Sequence, residues 1–144
     1  MKVNTLIPNL AVVDIRQTVQ FYRENLGFKL VMAVPETQDC IDQQLHSDKI
    51  YVYAMLNKDN TSLMLQRIDT IKEDISIFDK NVIGASVSLY LQGIGIDKFY
   101  NELKSKKIQI TEMRFTWYGI KEFYIKDNNG YILGFAEEME KSES

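Results

Sequence analysis

The stretch IPNLAVVDIRQTVQFYRENLGF, residues 7–28, predicts a short strand that runs directly into an amphipathic helix. The side chain of Asp14 can accept a hydrogen bond from a free N–H group of the first helical turn, so this residue is the expected N-cap. Gly27 stands where a helix commonly ends in a left-handed conformation. Between these two residues, apolar side chains recur at helical spacing and predict one buried face: Ile15, Val19, Tyr22 and Leu26.

Three strand patterns follow this helix. They are FKLVMAV at 28–34, KIYVYAML at 49–56 and TSLMLQ at 61–66, and the turn NKDN joins the last two. Residues 4–67 therefore read as one β-α-β-β-β module. The polar stretch 68–82 is interpreted as a connector that contains a short helix opened by Thr70 and Glu73.

The same order of elements returns in the second half of the chain. GASVSLYLQ predicts a strand, IDKFYNELKSKK predicts a helix, and three more strands follow in IQITEMRF, KEFYIKD and GYILGFAEE. The halves also share short sequences, because FYRENLGFKL matches FYNELKSKKI at its start and KDNTSLML matches KDNNGYIL in the same way. Two copies of one unit predict an α+β fold with modules at about 4–67 and 83–138.

Composition narrows the class of protein. The 144 residues carry a net charge of −3 without a basic cluster, which argues against a nucleic-acid partner. No apolar run approaches the roughly 18 residues of a membrane helix, and the N-terminus lacks the cleavage site of a signal peptide. The lone Cys40 cannot form an internal disulfide, which favours a reducing compartment. We expect a single domain over 1–144 in the cytoplasm, without a membrane partner.

The two ends of the chain resemble the vicinal oxygen chelate superfamily, which includes glyoxalase I, extradiol dioxygenases and bleomycin-resistance proteins. Residues 7–28 are similar to its opening strand and helix, and WYGIKEFYIKDNNGYILGFAEE at 117–138 is similar to its closing hairpin. Asp-Asn-Asn-Gly at 127–130 replaces the common Asp-Pro-Asp-Gly turn, a change that Asn-Gly turn chemistry tolerates. The resemblance implies paired modules that form a curved mixed sheet around a cleft, with the helices outside and with homodimerisation.

The resemblance also implies where a metal would bind. In metal-dependent members four strands each supply one ligand, usually His or Gln, Glu, His and Glu. The corresponding positions here are Ile7, Met64 or Gln66, Ser88 or Ser86, and Gly134. Divalent transition metals prefer imidazole, thiolate or carboxylate ligands, so we expect no metal and no cofactor. Gly134 either gives the cleft space and removes an acid, or relieves crowding against a neighbouring strand.

Strand alternation divides the remaining side chains between the helices and the cleft. The cleft side is then rich in phenol rings and poor in charge, as is typical of a pocket for a small organic ligand. The expected ligand-binding residues are Tyr51, Tyr53, Met64, Gln66, Ser88, Tyr90, Trp117, Tyr118, Glu122, Tyr124 and Gly134.

Several of the reactive side chains have more than one interpretation. Glu122 can pair with a cationic ligand, act as a general base, or bond structurally to Lys121 or Arg114. Trp117 can stack on a planar ligand or form a dimer contact. His46 and Cys40 are expected in a surface loop without a catalytic partner.

The expected function is that of a metal-free small-molecule-binding protein of the bleomycin-resistance type, which confers antibiotic resistance by sequestering a drug without altering it. The alternative is a metal-independent lyase or isomerase that uses Glu122 as its general base. A metal-dependent glyoxalase or dioxygenase is disfavoured by the side chains at the ligand positions. Turnover separates the first two functions, since a sequestering protein releases no product.

Overall fold

The computed structural model describes residues 1–2, 4–75, 83–84 and 87–140. The chain divides into two compact units, Met1–Ile83 and Gly84–Ser144. Each unit holds one four-stranded sheet, and the α+β class predicted from the sequence is confirmed. In the described part of the chain, no helix has the length and apolarity that crossing a membrane requires.

The described residues of the first unit form four strands and two helices. In chain order they are β1 (Asn9–Val12), α1 (Ile15–Leu26), β2 (Lys29–Pro35), β3 (Tyr51–Lys58), β4 (Thr61–Arg67) and α2 (Ile68–Asp74). The strand order in the sheet is β1-β4-β3-β2. Strand β1 is parallel to β4, and the other neighbours are antiparallel. The elements up to β4 follow the predicted β-α-β-β-β order.

The second unit repeats this topology. Its elements are β5 (Ser88–Gln92), α3 (Ile96–Lys104), β6 (Arg114–Phe115), β7 (Ile120–Lys126) and β8 (Ile132–Glu138). The strand order is β5-β8-β7-β6, with β5 parallel to β8 and the other pairs antiparallel. The internal duplication predicted from the sequence is therefore present in the strand order as well as in the element order.

Helix α1 begins and ends at the predicted residues. The Asp14 carboxylate accepts the backbone N–H of Gln17 at 2.8 Å, and Gly27 ends the helix with φ of 75°. Tyr22 packs edge-to-face on Phe28, with 5.5 Å between the ring centroids. The buried face of α1 covers one side of the first sheet, whose buried residues include Val12, Val52, Ala54, Leu56, Leu63 and Leu65.

Helix α3 covers one side of the second sheet through an aromatic cluster. Tyr100 of the helix packs against Phe123 of β7, with ring centroids 5.0 Å apart. Phe99 lies 4.9 Å from the ring of Phe135 on β8 in an edge-to-face arrangement. Aromatic burial of this kind provides most of the driving force for the packing of a small sheet on a single helix.

The N-terminus of α3 takes its cap from a distant strand. Gly95 precedes the helix in a left-handed conformation and offers no side chain. Glu137 of β8 fills this role, because its Oε2 accepts the backbone N–H groups of Gly95 at 3.1 Å and Ile96 at 2.8 Å. The carboxylate also meets the positive end of the helix dipole. Glu137 therefore fixes the start of α3 to the end of β8.

The segment 108–115 departs most from the sequence prediction. Its pattern predicts a strand over the whole segment, whereas β6 contains two residues, Arg114–Phe115. Side-chain oxygens take part of the backbone pairing instead. The Thr111 hydroxyl oxygen accepts the N–H of Tyr124 at 2.9 Å, and the Tyr100 hydroxyl oxygen accepts the N–H of Met113 at 3.2 Å. Such bonds compete with a regular ladder and shorten the strand.

The connector also differs from its prediction. Helix α2 begins at Ile68, so the predicted opening at Thr70 was wrong. Thr70 lies inside the helix and donates its hydroxyl to the carbonyl of Arg67 at 2.9 Å. The remainder of the predicted connector, 76–82, lies outside the described residues, as do 85–86 in the predicted GASVSLYLQ strand.

The cap on α3 is testable by substitution of Glu137. We expect Glu137→Ala to lower the free energy of unfolding by about 0.5–2 kcal/mol, because two N–H groups lose their acceptor. Urea denaturation of the purified protein measures this difference. Glu137→Gln keeps an acceptor oxygen and should lose less. The neighbouring exposed Glu138→Ala is the control, and an equal loss in that variant would contradict the capping role.

Candidate functional site

Three strands of the second unit bring two tyrosines and a glycine into one row. Tyr90 of β5 and Tyr124 of β7 are both register partners of Gly134 on the central strand β8. The two rings have centroids 6.4 Å apart and are inclined by 39°. This row lies on the side of the sheet opposite the aromatic cluster under α3, because its residues alternate with Phe123 and Phe135 along their strands.

Glycine is needed at position 134 because the rings converge there. A Cβ at this position would lie 2.6 Å from Cε1 of Tyr124 and 3.0 Å from Cδ1 of Tyr90. Contacts that short do not occur for a real Cβ, so one of the rings would have to move. These contacts agree with the interpretation that glycine at 134 relieves crowding. The space over the glycine is filled by its two neighbours.

Glu122 lies beside this row on β7 and is almost completely buried, with 2% of its surface exposed. The Tyr90 hydroxyl donates to its Oε2 at 2.6 Å. The Arg114 guanidinium of β6 donates to its Oε1, and Arg114 itself is largely exposed. Of the three interpretations of Glu122, the structural bond with Arg114 is the one observed. Lys121 pairs with Asp97 instead, at 2.8 Å.

The electrostatics of this group follow from the Glu122 carboxylate. Its hydrogen bond, together with burial, raises the pKa of the Tyr90 phenol well above its ordinary value, so Tyr90 remains a hydrogen-bond donor. The same carboxylate raises the pKa of Arg114. Burial is the main cause that raises the pKa of Tyr124. The ion pair leaves this face of the sheet close to electrically neutral.

The turn between β6 and β7 presents the most exposed aromatic side chains near this group. Trp117 is 94% exposed and Tyr118 is 53% exposed, and their rings meet edge-to-face at 5.2 Å. Phe115 precedes them and is also exposed. Thr116 holds the turn closed, because its N–H donates to the carbonyl of Ile120 at 2.8 Å and its hydroxyl oxygen accepts the N–H of Ile120 at 2.9 Å.

Four of the predicted ligand-binding residues lie in the first unit, where they divide into two groups. Tyr53 and Met64 are half-buried on the side of the sheet opposite α1. Gln66 is buried on that side and has polar partners at both ends of its amide. Tyr51 belongs elsewhere, since its ring is buried and its hydroxyl donates to Asp42 at 2.8 Å. In the second unit Ser88 is exposed at the start of β5.

The side chains at the implied metal positions do not fit a divalent transition metal. Ile7 and Gly134 carry no donor atom, and Ser88 supplies a neutral hydroxyl. Met64 offers a thioether, and both ends of the Gln66 amide are already bonded. Over the described residues, no group of three or more His, Cys, Asp or Glu side chains is arranged to hold an ion. We therefore derive no chemistry through a metal for this chain.

The surface positions predicted for His46 and Cys40 are confirmed. Sequence reasoning missed Asn9, which donates its amide N–H to Gln66 at 3.0 Å. A signal was present, because Asn9 follows Ile7 by two residues and strand alternation puts both on one side of the predicted first strand. The Asp42 contact with Tyr51 was also missed. It depends on the path of a loop, for which the pattern of the sequence offers no rule.

The chain belongs to the Glyoxalase/Bleomycin resistance protein/Dioxygenase superfamily, whose model matches residues 3–135. No sequence match to a curated protein was found. The solved structures most informative here share the fold at low sequence identity. TnmS3, an antibiotic binding protein from Streptomyces sp. CB03234, superposes with a TM-score of 0.68 at 18% identity, and the match covers 96% of this chain and 98% of that one.

Two further structures extend the comparison. TioX from Micromonospora sp. ML1 has a TM-score of 0.63 at 12% identity, over 97% of this chain and 100% of that chain. A member of the superfamily from Sphaerobacter thermophilus DSM 20745 has a TM-score of 0.67 at 17% identity, over 95% and 98% of the two chains. At these identities the comparisons establish the fold.

The crowding over Gly134 predicts a measurable cost of a single methyl group. We expect Gly134→Ala to lower the free energy of unfolding by about 1–3 kcal/mol, because the Cβ displaces a tyrosine ring. Chemical denaturation provides the value. Gly93→Ala is the matched control, since a Cβ there meets no atom within 4 Å. In a Tyr124→Ala background the cost of Gly134→Ala should shrink, and independent, additive losses would refute the contact.

The raised pKa of Tyr90 predicts that the stabilities of the wild type and of Tyr90→Phe depend differently on alkaline pH. The folded state holds this proton more tightly than the unfolded chain, whose tyrosines titrate near about pH 10. The resulting stability is therefore complete below that pH and is lost as the pH rises towards the folded-state pKa. We expect the unfolding free energy of the wild type to fall more steeply above about pH 10 than that of Tyr90→Phe. Urea denaturation at each pH gives these free energies. If those of the wild type and Tyr90→Phe fall in parallel as the pH rises, the Tyr90–Glu122 hydrogen bond is not the cause of the alkaline loss of stability.

Proposed function

We propose that this chain is a metal-free binding protein for small, planar organic molecules and that it sequesters an antibiotic or similar compound without changing it. The observation that carries this proposal is the aromatic surface of the second unit, where the exposed rings of Trp117 and Tyr118 meet edge-to-face on the turn that follows Arg114. A planar ligand can stack on such rings and gain more binding free energy than the burial of its surface alone would provide. The antibiotic-binding description of TnmS3 supports this choice of ligand class.

The neutral ion pair favours an uncharged or weakly charged ligand. Arg114 already neutralises Glu122, so a cationic group gains little from this carboxylate. The exposed guanidinium of Arg114 can instead stack against an aromatic ligand or donate to a carbonyl group on it. We therefore expect polar aromatic compounds to bind better than simple cations.

The enzymatic alternative has less support. A general base needs a lone pair within reach of the substrate proton. Glu122 is buried, and both of its oxygens accept hydrogen bonds from Tyr90 and Arg114. The raised pKa of Tyr90 also makes its phenol a poor proton donor. A lyase or isomerase that uses Glu122 would have to break these bonds in each cycle.

The proposal also includes a homodimer, as the superfamily resemblance implies, in the reducing cytoplasm that the lone Cys40 favours. Trp117 and its neighbours offer an apolar surface that either a ligand or a second copy of the chain would cover. Sequestration and turnover are told apart by incubating ligand with protein and analysing the compound recovered after denaturation. Unchanged compound at a fixed stoichiometry supports sequestration, and a new product supports the enzyme.

Trp117 provides the direct test, because it is the only tryptophan in the chain. We expect planar aromatic antibiotics, with bleomycin included in the panel, to change Trp117 fluorescence on binding. Trp117→Ala should weaken binding by about two- to twelvefold, as the loss of one stacking contact requires. Calorimetric titration gives the dissociation constants. Ile94→Ala is the control, because Ile94 is equally exposed but follows β5, whereas Trp117 follows β6 at the opposite edge of the sheet.

Two outcomes would count against this placement. Equal affinity of the wild type and Trp117→Ala for a bound antibiotic, with unchanged emission, would remove Trp117 from the site. A shift of Trp117→Ala from dimer to the monomer mass of 16.8 kDa in sedimentation would assign the ring to a dimer contact instead.

A further inference from the structure

A chain of three polar side chains crosses the first unit on the side of its sheet opposite α1. Asn9 of β1 donates its amide N–H to Oε1 of Gln66 on β4 at 3.0 Å. Gln66 in turn donates its own amide N–H to Oδ2 of Asp74, the last residue of α2, at 2.6 Å. The three residues form a relay that runs from the end of a helix to the edge strand β1.

Asp74 fixes the direction of this relay. A carboxylate only accepts hydrogen bonds, so Gln66 must turn its NH2 group towards Asp74. The Gln66 oxygen then faces Asn9 and must receive a donor from it. Asn9 consequently presents its NH2 group to Gln66 and its oxygen to the opposite side. Neither amide can be flipped without setting two acceptors or two donors against each other.

The relay ends in an acceptor without a partner. Oδ1 of Asn9 is buried, and no donor among the described residues bonds to it. Buried polar atoms of proteins are almost always paired, because an unpaired one has lost its bonds to water. An acceptor whose orientation is enforced, and whose donor is missing among the described residues, is available to a donor group on a bound molecule.

The neighbours of Asn9 are suited to admit such a group. Met64 is its register partner on β4, and Met55 is in turn the partner of Met64 on β3. Thioether side chains are flexible and adapt readily to a bound molecule. Tyr53 is the register partner of Gln66 and is half-buried, so its ring lies on the same side of the sheet.

We propose that Asn9 Oδ1 is a recognition site for a hydroxyl or N–H donor on a small molecule that binds the first unit, with Gln66 and Asp74 as positioning residues that hold the acceptor in place. The inference rests on the proposed binding function and adds a chemical requirement to it. A ligand that carries a donor group is preferred to the same ligand with that group blocked. The recognised feature is then one hydrogen-bond donor on an otherwise apolar molecule.

The test uses naphthol and methoxynaphthalene, which differ in the presence of an O–H donor. We expect the wild type to bind naphthol at least about fivefold more tightly, as one additional hydrogen bond allows. Asn9→Leu should bind both probes equally and at the affinity of the wild type for methoxynaphthalene. In ¹H–¹⁵N spectra the side-chain amide pair that disappears in Asn9→Leu should shift with naphthol and stay in place with methoxynaphthalene.

A stability measurement separates recognition from structure. The double variant Asn9→Leu, Gln66→Leu removes the relay without leaving a buried polar atom, and Asp74 is exposed. If the relay serves a ligand, this variant should melt no lower than the wild type while losing its preference for naphthol. A fall of about 4 °C or more would show that the relay serves the fold, and would overturn the proposal.

The two proposals fail in different ways. Equal binding of both probes by the wild type, without a shift of the Asn9 amide, would mean that water satisfies Oδ1 and would refute the recognition site alone. Binding of neither probe would remove support for aromatic ligands, and the recognition site would fall with the proposed function.

Discussion

Each unit of this protein depends on the same constraint, which is that one helix can cover only one side of a four-stranded sheet. In the second unit the phenylalanines of β7 and β8 are closed off by Phe99 and Tyr100 of α3. Among the described residues of this unit, no helix covers the opposite side. Side chains on that side must therefore satisfy one another, and both the tyrosine pair over Gly134 and the buried Glu122 are solutions to this requirement.

The two units solve the problem with different chemistry. In the second unit, rings fill the space and an ion pair at the edge keeps the charge balanced. In the first unit, Met55 and Met64 are neighbours in the register, and the hydrogen-bonded amides of Gln66 and Asn9 end in the unpaired Oδ1 of Asn9. The duplicated topology thus carries two unlike surfaces. The backbone repeat is retained, whereas the chemistry of the uncovered sides has diverged.

The backbone could be predicted from the sequence to a much greater extent than the side-chain contacts. The cap at Asp14, the left-handed Gly27 and the strand alternation are local signals, and the structure contains all of them. The bond between Glu122 and Tyr90 and the cap from Glu137 join residues that are distant in the chain, and their partners depend on strand register. Segment 108–115 failed as a full strand because the Tyr100 hydroxyl accepts the N–H of Met113 and the Thr111 hydroxyl accepts the N–H of Tyr124 on β7, which a strand pattern does not reveal.

Gly134 also bears on how this chain can change over time. Superfamily relatives that bind a metal are expected to carry a carboxylate at the corresponding position. In this protein the two tyrosine rings occupy the place that such a side chain would need. A glutamate at 134 would require one of the rings to move or to be replaced by a smaller side chain. The cost of an acidic side chain at 134 therefore depends on the side chains at 90 and 124, so these three positions are coupled through one packed volume.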